Sequence, residues 1–183
     1  MKRKLLTIAA VVAVMTLINF KANSQVVTSG PTGTVVLDIT LTDAFAIVFT
    51  GDQSVHFTYP NASDYGASKS VPKNAHFKVI STKPYNVSVG ASAFTSSTAS
   101  SVPALDIVEV SVASALPVLA SPGFTSATQV PLSIAGAPLI AAATPSIGTT
   151  FNILYTIPNA TTLLNKITGT VFSTNVLYTV TTP

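Results

Sequence analysis

The sequence has no cysteine, no tryptophan and a single arginine, and acidic and basic residues together make up only 8% of it. Each shortage excludes something. Without cysteine there is no disulfide framework, so an ordinary hydrophobic core has to hold the fold together, and no thiol is available for a lipid anchor. The lone arginine, Arg3, stands at the extreme N-terminus. The rest of the chain therefore lacks the planar fork that grips phosphate and carboxylate bidentately, which argues against a nucleic-acid or nucleotide partner. With so few charges, the surface has to be covered by Ser, Thr and Asn. Such a composition suits a subunit that packs against copies of itself.

What is present begins with a leader. Lys2, Arg3 and Lys4 form a basic start, Leu5 to Ile18 is an almost unbroken apolar run, and Ala22-Asn23-Ser24 offers the small residues that a signal peptidase requires. The expected cut follows Ser24, giving a signal peptide over 1–24 and one domain over 25–183. The run is shorter than the roughly 20 residues needed to span a bilayer, so no membrane span is expected after cleavage. Removing Lys2, Arg3, Lys4 and Lys21 leaves five lysines against six acids, a net charge of −1. The basic pI is therefore a property of the leader, and the expected destination is the periplasm, the cell surface or the medium.

Downstream, apolar residues recur with period 2 far more often than with the helical period. Alternation predicts strands at Val35–Leu41, Ser54–Tyr59, His76–Val79, Tyr85–Gly90, Val108–Val112, Phe151–Ile157 and Phe172–Val180, with a less regular one at Phe45–Thr50. Gly51-Asp52, Pro60-Asn61, Lys83-Pro84, Pro122-Gly123, Pro158-Asn159 and Gly169 punctuate them as turns. Five prolines between Leu116 and Thr149 predict loops and short edge strands there, and only Ala160–Lys166 reads as a turn or two of helix. Roughly seven to nine short strands rich in Val, Thr, Tyr and Phe imply an all-β, immunoglobulin-like antiparallel sandwich. The faces follow from register. Phe77, Val79, Tyr85, Val87, Val89, Phe151, Ile153, Tyr155, Val176 and Tyr178 should be buried, and His56, His76, Lys78, Asn86, Ser88 and Glu109 should face solvent.

Reactive chemistry is sparse. His56 and His76 fall on the polar sides of their strands without the further ligands a metal would need. Glu109 and Asp106 are three apart, which in a strand points them to opposite faces and rules them out as a hydrolytic carboxylate pair. Asp38, Asp43, Asp52 and Asp64 are not spaced as a calcium loop. No Gly-x-Ser-x-Gly elbow or phosphate loop occurs. No enzyme activity, cofactor or metal is expected. Asn61, Asn86 and Asn159 head glycosylation sequons of the kind that arise by chance in a Ser/Thr-rich chain.

The segment Ser81-Thr82-Lys83-Pro84-Tyr85-Asn86-Val87-Ser88-Val89, with Tyr65-Gly66 and Val71-Pro72-Lys73-Asn74 before it, resembles the middle of small secreted β-sandwich proteins of Gram-negative bacteria. Phe151–Tyr155, Leu164-Asn165-Lys166, and the Gly169-Thr170 turn leading to Val176–Val180 are similar to the end of the same group. More distantly, this ending resembles WxL-type surface domains and spore-coat-U-type fimbrial subunits, although neither the Trp-x-Leu signature nor the latter's cysteines are present. The resemblance covers about half of the processed chain and implies a fold more than a function.

Two functions fit. In the first, the protein is a structural or adhesive component of the cell surface, a self-assembling matrix or fimbria-like subunit whose partners are its own copies or other surface proteins. Val35–Leu41 or Phe172–Val180 would then add to a neighbour's sheet. In the second it is a secreted carbohydrate- or protein-binding module, with Tyr65, Phe94 and Phe124, all in or near expected loops, stacking on glycans.

Overall fold

The computed structural model describes residues 37–99, 101–116, 123–166 and 169–183. The leader, its cleavage site, and Val35 and Val36 of the first expected strand lie outside the described residues. Leu41–Pro183 forms a compact unit, and Leu37–Thr40 belong to the segment before it.

The described chain is all-β, with helical structure confined to short 3-10 turns at Ala62–Gly66, Leu105–Ile107 and Thr161–Leu163. The strands are β1 (Phe45–Phe49), β2 (Lys69–Ser81), β3 (Tyr85–Ala91), β4 (Glu109–Leu116), β5 (Thr125–Ser126), β6 (Val130–Pro131), β7 (Ala137–Ala143), β8 (Ser146–Ile157) and β9 (Val176–Thr181). They form two antiparallel sheets, of order β1-β2-β8-β4-β6 and β5-β7-β3-β9.

Strands form where alternation can bury one face. Tyr85, Val87, Val89 and Ala91 of β3 are buried while Asn86, Ser88 and Gly90 between them are not, and Phe151, Ile153 and Tyr155 do the same on β8, where Thr156 and Ile157 are both buried at its end. The two sheets share one core. The ring of Phe77 on β2 stands 4.9 Å from that of Tyr178 on β9 and 5.3 Å from that of Phe151 on β8. Each such side chain contributes roughly 1.5–3 kcal/mol by leaving water. Gly90 is required by packing, since a Cβ there would stand 3.1 Å from the Cα of Gly136, whose own φ of 76° favours glycine.

The structure departs from the periodicity in several places. Leu37–Leu41 alternates but forms no strand, and Leu37, Ile39 and Leu41 are 76–90% exposed. Ser54–Tyr59 forms no ladder either, yet its inward side chains Val55, Phe57 and Tyr59 still pack on the core. The last strand begins at Val176 rather than Phe172, and Val176 is only half-buried because β9 is an edge. In the proline-rich stretch, β5 and β6 are edge strands as expected, but β7 runs inside the second sheet between β5 and β3. It accommodates Pro138 because the β3–β7 register slips beside the Ser88–Pro138 pair.

The largest correction concerns His76, which is buried at 3% exposure rather than solvent-facing. Lys73 pairs with Ile153 and Phe77 with Phe151, so Asn74, Ala75 and His76 together stand opposite the single residue Asn152. This bulge turns two successive side chains, His76 and Phe77, into the core.

Candidate functional site

The bulge is built from polar anchors. Ala75 adopts a left-handed φ of 48°, and its N–H donates to Asn152 Oδ1 at 2.6 Å. Asn152 Nδ2 donates in turn to Ser114 Oγ on β4 at 2.7 Å, beside a second register slip between Val112 and Ser114. From the β1 side, Thr50 Oγ1 donates to the Ala75 carbonyl and the Thr50 N–H to the His76 carbonyl. One asparagine on the central strand thus organises both neighbouring strands, at a backbone conformation that costs an alanine about 1–2 kcal/mol.

Inside, the bulge delivers His76 to two phenols. His76 Nε2 lies 3.0 Å from Tyr155 Oη, which lies 2.7 Å from Tyr178 Oη. His76 and Tyr155 come from the first sheet and Tyr178 from the second, so the chain of hydrogen bonds crosses the core. Phe49, Phe77, Tyr155 and Tyr178 surround the imidazole edge-on or tilted, with centroids 5.7–6.1 Å away. Burial, and secondarily the charge of Lys73, lower the His76 pKa below 6.5, so the ring is neutral. Burial pushes Tyr155 up to about 12 and raises Tyr178 further, so both phenols keep their protons. With Nε2 accepting from Tyr155, and Tyr155 from Tyr178, every hydroxyl proton has an acceptor, and the imidazole proton falls on Nδ1. That atom is buried without a partner. The reverse direction would instead leave the Tyr178 proton without an acceptor, so either direction strands one buried donor. Buried among aromatic rings, this triad pins one sheet to the other.

The aromatics expected in loops are each partly buried against the core and keep part of their surface exposed. Tyr65 packs on Tyr59 with centroids 4.9 Å apart, Phe124 meets Phe151 edge-on at 5.6 Å, and Phe94 is half-buried against the core. The structure does not bring the three together as one platform. Of the expected polar surface residues, His56 is exposed, and Lys78, Asn86, Ser88 and Glu109 are half-buried. Among the described residues no group of three or more His, Cys, Asp or Glu converges on a point. Asp52 is held at about 2 by hydrogen bonds from the Ser54 backbone and from Lys73, whose Nζ is 3.1 Å away. Lys69 pairs with Asp64 at 3.5 Å and lies over the Tyr59 ring, and Lys83 pairs with Asp43 at 2.6 Å.

Charge is distributed unevenly between the sheets, a feature that strand periodicity does not reveal. Lys69, Lys73, His76, Lys78 and Glu109 lie on β2 and β4. No strand of the second sheet carries an acidic, basic or histidine side chain. That sheet's outer surface bears a shallow groove of about 260 Å³ lined by Asn86, Val87, Ser88, Pro138, Ala141 and Thr181. A second of about 220 Å³ adjoins it across Pro138 and Ala141, towards Thr125.

No family model matches the chain, and no curated protein is significantly similar to it.

Proposed function

We propose that this is an exported structural or adhesive protein of the cell surface whose immunoglobulin-like sandwich assembles with copies of itself. One observation carries the reading. Leu37, Ile39 and Leu41 alternate with polar residues and are all at least 76% exposed. Three aliphatic side chains on one face of an extended segment are costly to leave in water, at roughly 1.5–3 kcal/mol each, and the cost disappears once a sheet covers them. The edges available are uncharged. Phe45–Phe49 of β1 and Val176–Thr181 of β9 contain no lysine, proline or acidic residue of the sort that usually blunts an edge. Hydrogen bonds between Thr82 N and the Ala44 carbonyl and between Ala44 N and Thr82 Oγ1 hold the chain in line with β1 at that point. The Asp43–Lys83 pair extends that alignment by one residue. The processed protein should therefore form oligomers in light scattering and filaments or a matrix by negative-stain electron microscopy, and Ile39→Asp should abolish the filaments or matrix and every species that grows by strand addition. A processed protein that remains monomeric at high concentration would overturn the reading.

A further inference from the structure

We infer that the outer face of the second sheet is an isologous contact surface for the same face of a second copy. The inference rests on the assembly reading above but draws on a different part of the molecule. Its residues are Asn86 and Ser88 on β3, Pro138 and Ala141 on β7, and Leu177 and Thr179 on β9. Leu177 is 67% exposed, Thr179 and Pro138 are exposed, and Asn86, Ser88 and Ala141 are partly so.

Three properties select a copy of this chain as the occupant. The first is charge. β3, β5, β7 and β9 contain no Asp, Glu, Lys, Arg or His. A two-fold contact sets a patch against itself, so any charge near the axis meets its own copy, a like charge whose opposition costs several kcal/mol. The outer face of this sheet has no such charge. In the first sheet, by contrast, Lys78 stands in register with Thr150, whose neighbour Phe151 fills the core, so its charge belongs to the outer side. A charged partner would equally find nothing on the second sheet to pair with.

The second property is relief. The side chains at the centre are small, and both shallow grooves lie on this face and share Pro138 and Ala141. Ridges of one copy, such as Leu177 and Pro138, can enter the grooves of the other at the roughly 10 Å spacing of packed sheets. The third is hydrogen bonding. Hydroxyl and amide groups both donate and accept, so Ser88, Thr179 and Thr181 can pair with their own kind across a two-fold axis, as lysines or carboxylates cannot. Face pairing is isologous and closes on itself, whereas strand addition by Leu37–Leu41 is heterologous and propagates. Used together they give laterally paired filaments.

The test is sedimentation velocity of the processed protein across a concentration series. The variants are Thr179→Lys and Ser88→Lys on the second sheet, Ser111→Lys on the first, and Ile39→Asp in the N-terminal segment. Far-ultraviolet circular dichroism and a melting curve confirm that each variant is folded. With the Ile39→Asp background blocking propagation, a dimer should remain, and adding Thr179→Lys should weaken it by about tenfold or more. Ser111→Lys should leave it unchanged. Should Ser88→Lys fail to fold, Thr179→Lys at the exposed edge still decides the matter. If the protein assembles but neither lysine on the second sheet weakens the dimer, the face assignment is wrong and the assembly reading stands. A wild-type protein that is monomeric throughout overturns both.

Discussion

The two sheets of this protein solve opposite problems with the same alternating pattern. The first, β1-β2-β8-β4-β6, carries every ionisable strand residue other than tyrosine, two bulges that pivot on Asn152, and the imidazole of His76 turned inward. The second, β5-β7-β3-β9, carries only hydroxyls, amides, alanines and aliphatic groups, and meets the first through the Tyr178 phenol. The difference teaches that the polar content of a strand does not by itself say which way it faces. In the first sheet the polar group with most consequence lies inside, and in the second the polar groups other than the inward phenols of Tyr85 and Tyr178 are outside and uncharged, which is the arrangement a surface needs to pack on its like.

The comparison can be broken most severely at the shared core. Phe151→Ala removes a fully buried ring that touches Phe77 and Phe124, and should cost about 3–5 kcal/mol in chemical denaturation. His76→Ala should follow at about 2–3 kcal/mol, since it leaves a cavity and strips Tyr155 of one of its two hydrogen-bond partners. This would separate a pinning imidazole from a surface one, whose loss costs about 0.5 kcal/mol or less. Tyr178→Phe keeps the ring and removes only the hydrogen bond between the sheets, for an expected loss of about 1–2 kcal/mol.

The same histidine sets a pH dependence. Its folded pKa lies below its unfolded value of 6.5, so under acid conditions the unfolded chain binds a proton that the folded chain refuses. Its contribution is complete above about pH 6.5 and declines as the pH falls from there towards the lowered folded value. His76→Phe should flatten the denaturation midpoint across that window. Asp52 acts at lower pH, since its own contribution is lost only as the pH falls from the unfolded value of 3.8 towards about 2. A smaller effect of opposite sign is expected at the bulge. Ala75→Gly should stabilise by about 1 kcal/mol, as relief of the left-handed φ outweighs the extra freedom of glycine in the unfolded chain.

Much of this molecule was legible in its sequence. Tyr85, Val87 and Val89, like Phe151, Ile153 and Tyr155, are buried where period-2 spacing puts them, because β3 keeps an unbroken ladder to β9 and the extra residues of the bulges beside β3 and beside Phe151–Tyr155 of β8 fall on their neighbours β7, β2 and β4. The inversion at His76 was not legible. Nothing in Lys73-Asn74-Ala75-His76-Phe77 marks a bulge, whose left-handed position is occupied by alanine rather than glycine or asparagine. The triad was hidden for the same reason, since it joins three strands far apart in sequence and needs the bulge to form. Alternation also promised a strand at Leu37–Leu41, where the pattern is correct but the described structure supplies no partner. Tyr65, Phe94 and Phe124 sit near loops as expected, yet a position near a loop does not say whether a ring covers the core or faces outward, and all three pack inward.

If copies meet through the second sheet and the Leu37–Leu41 segment, both should be shielded on assembly. Hydrogen exchange by mass spectrometry compares the sheets directly, with the processed protein measured dilute and at a concentration where it assembles. Slower exchange is predicted over Leu37–Leu41 and over Val176–Thr181 of β9, with no change over Glu109–Leu116 of β4. Protection confined to β4, or none in any of these segments once assembly is established, would contradict this arrangement.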